Sequence, residues 1–356
     1  MIETCYAIML KFFVVALALA AFASAAPTLP SGKYNSKGGL NWVLLIAGSN
    51  SYGNYRHQAD IYHAYQVVKK NGVPDSNIVV FHYDDIANDP ENPHKGTVIN
   101  NPKILTNVYT GVPKDYTGYD VTPTNILAVL AGNASALDCE GSKQTPPTHC
   151  SKKVIASGPN DDVFVMFDDH GGAGILGMPD RDPPVPYLYA TDINRVLKAK
   201  AAAHGFHQLT FYIEACEAGS IFDGLLPANI NIYATTASNP DESSWGCYCP
   251  GMNPPPPPEY ETCLGDLYAV SVTEHADATD ESKETLLSEY NYLKTRVSQN
   301  GTYDQGSHVM QYGQTSIDSE MVATFLGNGN KVFLSVLNMQ PNVSTLFSGH
   351  HHLCAC

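Results

Sequence analysis

Charge is scarce in this 356-residue chain: Asp, Glu, Lys and Arg together make up 15%, with 20 basic residues against 35 acidic ones. So little charge beside 44% hydrophobic residues excludes a disordered chain and a coiled coil. The formal net charge of −15 excludes a protein that tracks nucleic-acid phosphates, and it suits a protein working at low pH. Long apolar runs are scarce too. Beyond the first residues, no stretch approaches the roughly 18 apolar residues of a membrane-crossing helix, so stable membrane insertion is not expected. No internal repeat divides the chain.

The exception is residues 12–22, an apolar run after Lys11 with the length of a signal-peptide core. Ala23-Ser24-Ala25 then supplies the small residues of a cleavage site. Residues 1–25 are therefore read as a signal peptide and 26–40 as a propeptide-like segment. The nine cysteines fit that oxidising route. Cys139 and Cys150 bracket a Pro/Thr-rich insert, and Cys249 and Cys263 bracket the prolines 254–258, so each pair is expected to close a loop. With Cys5 in the leader and Cys216 set aside, Cys247, Cys354 and Cys356 remain as an odd set. Sequons at Asn133, Asn300 and Asn342 add the pattern of a secreted glycoprotein.

Short β-branched or aromatic runs at 42–47, 78–83, 163–167, 209–213 and 231–234 predict strands covered on both faces. Between them lie helical patterns at 57–70, 124–130 and 192–204; the first puts Ile61, Tyr62, Tyr65 and Val68 on one face and stops at Asn71-Gly72. Alternating strands and helices imply an α/β fold, an open and mostly parallel sheet with helices on both faces. Long connections fall at 84–122 and 238–261, where binding surfaces are usually built.

Two of these strands run directly into chemistry. Residues 163–167 lead into Asp168-Asp169-His170-Gly171-Gly172, and 209–213 into Glu214-Ala215-Cys216-Glu217-Ala218-Gly219. Ligands sit outside the carboxyl ends of parallel strands, so two neighbouring strands would bring an imidazole and a thiol to one crevice. A lone cysteine at a strand end is more often buried filler, and a lone histidine more often surface. The matching strand–glycine contexts favour the joint reading: the glycines let a substrate backbone approach and free N–H groups for an oxyanion.

Glu214-Ala215-Cys216 stands where the caspase signature has Gln-Ala-Cys, with its histidine about 50 residues upstream. The chain resembles the legumains, the asparaginyl endopeptidases or vacuolar processing enzymes, which are caspase-like cysteine peptidases. The matching stretches include Asn54-Tyr55-Arg56-His57-Gln58-Ala59-Asp60, Gly111-Val112-Pro113-Lys114-Asp115-Tyr116, Asp169-His170-Gly171-Gly172, Tyr212-Ile213-Glu214-Ala215-Cys216-Glu217, Glu242-Ser243-Ser244-Trp245 and Cys263-Leu264-Gly265-Asp266-Leu267-Tyr268. The Trp245 motif and the proline-rich loop are most similar to plant-type members.

The resemblance implies a peptidase domain over 41–326 with Cys216 as nucleophile, His170 as general base, Asn54 orienting the imidazole and Gly171 with Cys216 offering oxyanion N–H groups. It implies an S1 pocket from Arg56, Glu214 and Asp266, with His57 and Ser243 nearby. Arg56 would bond an asparagine's oxygen and the carboxylates its amide nitrogen, so Asp would enter only in acid. Without the resemblance, these charges read as a structural ion network. No cofactor or metal is implied; the partners are peptides and proteins with exposed Asn, reached in a lysosome, vacuole or extracellular space. A peptide ligase using the same thioester is the alternative, with Gly246 favouring water and Gly172-Ala173 favouring an amine. A catalytically silent binding protein is the rival of another class, opposed by the intact Cys216, His170 and Asn54. A membrane-anchored transamidase subunit would carry a C-terminal span that residues 327–356, read as a flexible tail without the family's helical cap, do not supply. Histidines 350–352 with Cys354 and Cys356 read as part of that tail rather than a metal site. Self-cleavage is expected after Asn328 or Asn330, and after Asn35 in its polar segment.

Overall fold

In the computed structural model, residues 35, 38–139, 148–182 and 184–327 are described. The leader, the Asn342 sequon and the tail with its histidines, Asn328, Asn330, Cys354 and Cys356 lie outside them. The five expected strands form the body of one sheet. Among the described residues it has eight: β1 (Asn41–Ala47), β2 (Ile78–Phe81), β3 (Tyr116–Thr117), β4 (His149–Cys150), β5 (Asp162–Asp168), β6 (Gln208–Glu214), β7 (Ile232–Thr236) and β8 (Met310–Gly313). Their spatial order is β8-β7-β6-β5-β1-β2-β3-β4. The six strands from β7 to β3 pair in parallel, and the two edge strands pair antiparallel.

Burial explains the continuous apolar runs: every residue of β5 and β6 is buried, and in β1 only Trp42 is partly exposed. The pleat sends Val43 and Leu45 to one face and Leu44 and Ile46 to the other. On the first face pack helices α1 (Tyr55–Lys70), α4 (Leu267–Ala278) and α5 (Leu286–Val297); on the second pack α2 (Pro123–Ala131) and α3 (Ala190–Ala202). Ile61, Tyr62, Tyr65 and Val68 of α1 are buried as its spacing predicts, and so are His57, Gln58, Asp60 and His63, so the helix is covered on more than one face. Local signals set the ends of α2: Thr122 caps it by accepting from Asn125 N, Pro123 opens it and Gly132 closes it at φ 75°.

Both expected loop disulfides are present, Cys139–Cys150 and Cys249–Cys263. Cys247 is a buried free thiol, and the sequon residues Asn133 and Asn300 are exposed. Asn35 corrects an expectation. Its amide donates to Asn160 O at 2.8 Å and Asp162 Oδ2 at 2.7 Å, and its Oδ1 accepts from Gly39 N at 2.8 Å. A buried side chain tied to the start of β5 is not a loose cleavage site, so self-cleavage after Asn35 is withdrawn. No helix among the described residues is long and apolar enough to cross a membrane.

Candidate active site

β5 and β6 are neighbours in register, Asp168 opposite Glu214, so both chains leave the sheet at the same edge. Asp169 N donates to Glu214 O at 3.2 Å and carries the pairing one residue past the strands. Cys216, half-buried, follows two residues later, its Sγ 3.8 Å from Ser244 O. Glu217 then takes the left-handed conformation, φ 48°, and turns the chain into the short helix Ala218–Ile221. The thiol therefore sits at the apex of a tight turn. Gly171 abuts that turn, and only hydrogen fits on the side of it facing Cys216.

His170 is exposed, and its partner fixes its tautomer. The Asn54 amide nitrogen donates to Asn50 O at 3.0 Å, which leaves Asn54 Oδ1 as the atom 2.9 Å from His170 Nε2. A carbonyl oxygen only accepts, so Nε2 carries the hydrogen and Nδ1 is the basic nitrogen of the neutral ring.

The residues expected to form a pocket converge near His170. Arg56, in the first turn of α1, donates from Nε to Asp266 Oδ1 at 2.9 Å. Asp266 precedes α4 and lies opposite Gly246 in a two-stranded ribbon, Gly246–Cys247 with Gly265–Asp266. Glu214 Oε2 accepts from Tyr268 N at 2.9 Å and Ala269 N at 3.2 Å, using the open N–H groups at the start of α4. His57 lies between the two groups: Nδ1 meets Ser49 Oγ at 2.6 Å and Asp169 Oδ1 at 3.2 Å, Nε2 is 3.6 Å from Asp266 Oδ2, and its ring stands edge-on to His170 at 4.9 Å between centroids. Of the expected pocket residues, Ser243 is exposed.

Burial dominates the electrostatics here. It pushes Glu214 up to about 8, helped by Asp266, and Asp169 up to about 7. It holds His57 well below the usual histidine range despite the carboxylates around it. His57, Asp169 and His170, and likewise His57, Asp168 and Asp266, bring potential metal-ligand atoms within 4.8 Å of one another.

Three carboxylates of this cluster carry no role in the sequence reading. Asp60 accepts Asp266 N at 2.7 Å, Asp169 Oδ1 lies 3.2 Å from His57 Nδ1, and buried Asp168 has no hydrogen-bond partner on either oxygen among the described residues. Asp60 could have been found, since it lies one helical turn after Arg56. Asp168 and Asp169 directly precede His170 but read as ordinary polar strand-end residues.

The peptidase C13 family model matches residues 41–328. A legumain of Canavalia ensiformis is 50% identical over 299 residues, covering 84% of this chain and 60% of that protein. A vacuolar-processing enzyme beta-isozyme of Arabidopsis thaliana is 52% identical over 289 residues, 81% of this chain and 56% of the relative. The chain thus spans less than two thirds of the length of these curated relatives. A caspase-1 structure from Spodoptera frugiperda aligns over 86% of this chain and 98% of that one at 12% identity and a TM-score of 0.44, a likeness too slight to bear on the site.

Proposed function

This chain belongs to the peptidase C13 family, with plant legumains and vacuolar-processing enzymes among its relatives, and we propose that it is a cysteine endopeptidase cutting after Asn. Cys216 attacks the scissile carbonyl while His170 Nδ1 takes the thiol proton and passes it to the leaving amine. The N–H groups of Gly171 and Cys216 receive the oxyanion, and water then hydrolyses the thioester on Cys216. Arg56 donates to the amide oxygen of the substrate asparagine, and Glu214 and Asp266 accept from its nitrogen. An ionised Asp would set a carboxylate against those carboxylates; a protonated one would not, so Asp is accepted in acid only.

The observation that supports this reading is the sequence of bonds from Asn50 O through Asn54 to His170 Nε2, which leaves Nδ1 as the accepting nitrogen on a loop whose Gly171 abuts Cys216. The relatives' names support a vacuolar destination through the secretory route. Alkylation tests the reading against a silent binding protein. One equivalent of iodoacetamide at acidic pH is expected to label Cys216, spare buried Cys247 and abolish cleavage, with Asn54→Ala slowing the labelling. Inert thiols would sink it. Adding an amine nucleophile to the cleavage reaction separates hydrolysis from ligation.

A further inference from the structure

α1 carries Arg56, Asp60, His63 and Lys70 along the side that meets α4. Arg56 pairs with Asp266 at one end of that helix, and Lys70 with Asp277 at 3.0 Å at the other. Between them runs an unbroken set of side-chain bonds. Asp277 Oδ2 lies 3.0 Å from His63 Nε2, and His63 Nδ1 lies 2.7 Å from Asn100 Oδ1. Asn100 Nδ2 donates to Asp60 Oδ1 at 2.7 Å, and Asp60 Oδ2 accepts Asp266 N at 2.7 Å.

The chemistry of Asn100 settles the protons. Its amide nitrogen also donates to Leu264 O at 2.8 Å, so both amide hydrogens are used and the atom facing His63 can only accept. Asp277 accepts from Lys70 on its other oxygen. Both ring nitrogens of His63 therefore face acceptors, and an imidazole that donates from both is a cation. Asp277 is held down to about 2, with the His63 hydrogen bond as the largest cause.

We propose that His63 is a positioning residue of the asparagine pocket, held as an imidazolium between Asn100 and Asp277 and fixing Asp266 through Asn100 and Asp60. The proposal rests on the reading of Arg56, Glu214 and Asp266 as that pocket. Asp60 is fully buried and Asp266 nearly so, and the bond from Asp266 N to Asp60 Oδ2 fixes the backbone from which the Asp266 carboxylate extends to Arg56. A neutral His63 has one N–H and must release either Asn100 or Asp277. Losing Asn100 frees its amide to turn and loosens Asp60, which holds Asp266 N. His63 reaches solvent through a surface cavity that Gln66, Lys70, Asn101, Glu274 and Asp277 also line. The charged groups facing it are Asp60 and Lys70 from its own helix and Glu274 and Asp277 from α4.

Because the chain of bonds ends in the pocket and not at the thiol, substrate binding is what it controls. His63→Gln is expected to raise KM for an Asn peptide about tenfold, leave kcat within about twofold and leave the rate of Cys216 alkylation unchanged. In the wild type, KM is expected to rise over the same pH interval in which ¹⁵N NMR shows His63 losing a ring proton, and that step is expected to vanish in the variant. A purely structural role would lower the active fraction and melting temperature without splitting KM from kcat. The proposal is overturned by an unchanged KM in folded His63→Gln, or by a His63 bearing a single ring proton across the pH range of activity. If the variant does not fold, the wild-type NMR and KM profiles decide alone. A wild type that cuts no Asn peptide would refute the pocket reading instead, while the NMR still tests the imidazolium.

Discussion

A β-carbon on Gly171 would lie 2.3 Å from the carbonyl oxygen of Cys216 and 2.9 Å from the β-carbon of Ala215, so the His170 and Cys216 loops meet backbone to backbone. No side chain flexes to relieve that contact, and Gly171→Ala must push the loops apart. Displacements of about 1 Å between reacting groups cost on the order of 100-fold in rate, so a loss of that size in kcat/KM is expected. At Gly172 the nearest atom to an added β-carbon is Ile175 Cγ1 at 3.4 Å, a side chain that can give. Gly172→Ala should remain within several-fold of wild type. Equal losses in the two variants would contradict the packing argument.

Cys216→Ala removes the nucleophile from a half-buried strand end and should abolish turnover with the melting temperature nearly unchanged. His170→Ala should come close to it. Asn54→Ala keeps the base but frees its ring, so a loss of about 10- to 100-fold in kcat with little change in KM is expected. Steady-state kinetics normalised to titrated active sites would read all three, and full activity in any of them would remove that residue from the mechanism.

Arg56→Ala strips the cation from a buried carboxylate cluster. Asp266 loses its 2.9 Å partner, Asp168 is left facing the carboxylates of Asp60, Asp266 and Glu214, and Glu214 keeps its donors from Tyr268 N and Ala269 N. A large rise in KM for Asn peptides and a lower melting temperature are expected. The stability deficit should be smaller near pH 6 than near pH 9, because Glu214, held at about 8, carries its proton at the lower pH and needs the Arg56 cation only above it. A variant with unchanged preference for Asn over Gln would place Arg56 outside the pocket.

Four buried carboxylates set the direction of pH dependence. Glu289, bonded by Tyr212, stands at about 7 and Asp169 at about 7, while Glu281, bonded by Asn71, and Glu214 stand at about 8, each raised chiefly by burial. Their unfolded values are near 4, so between about pH 4 and 8 the folded state binds more protons than the unfolded one. Stability is then greatest at the acid end and falls as pH rises through that window. Buried His57 and His82, whose folded values are lowered, act oppositely below about pH 6.5, but they are outnumbered by the raised carboxylates, which also include Asp60, Asp85, Asp162 and Asp168. Calorimetry should show a melting temperature declining from about pH 5 to 8, and a shallower decline in a Glu281→Gln, Glu289→Gln variant. A flat or rising profile would contradict it.

The fold was legible where burial leaves a mark on composition. The runs at 163–167 and 209–213 are continuous because β5 and β6 are covered on both faces, and their ends announced His170 and Cys216. α4 was not legible: from Leu267 to Thr273 every residue is buried, so it lacks the polar stripe that marks a surface helix. β8 was missed as well, being a short edge strand with each residue only partly buried. The pocket was readable through its family motifs, whereas Asp168, His63 and Asn100 were not. Their roles depend on side chains meeting across α1, α4 and the 84–122 connection, and no spacing along the chain encodes such a meeting.

The central claim, cleavage after Asn through a Cys216 thioester, is met most directly by mass spectrometry of peptide products. Wild type and Cys216→Ala are incubated at acidic pH with peptides differing only in Asn, Asp or Gln at one position. The account predicts wild-type cleavage after Asn, slower cleavage after Asp that disappears as pH rises, none after Gln, and no products from Cys216→Ala. Cleavage after Gln, no cleavage after Asn, or products from the alanine variant would contradict it.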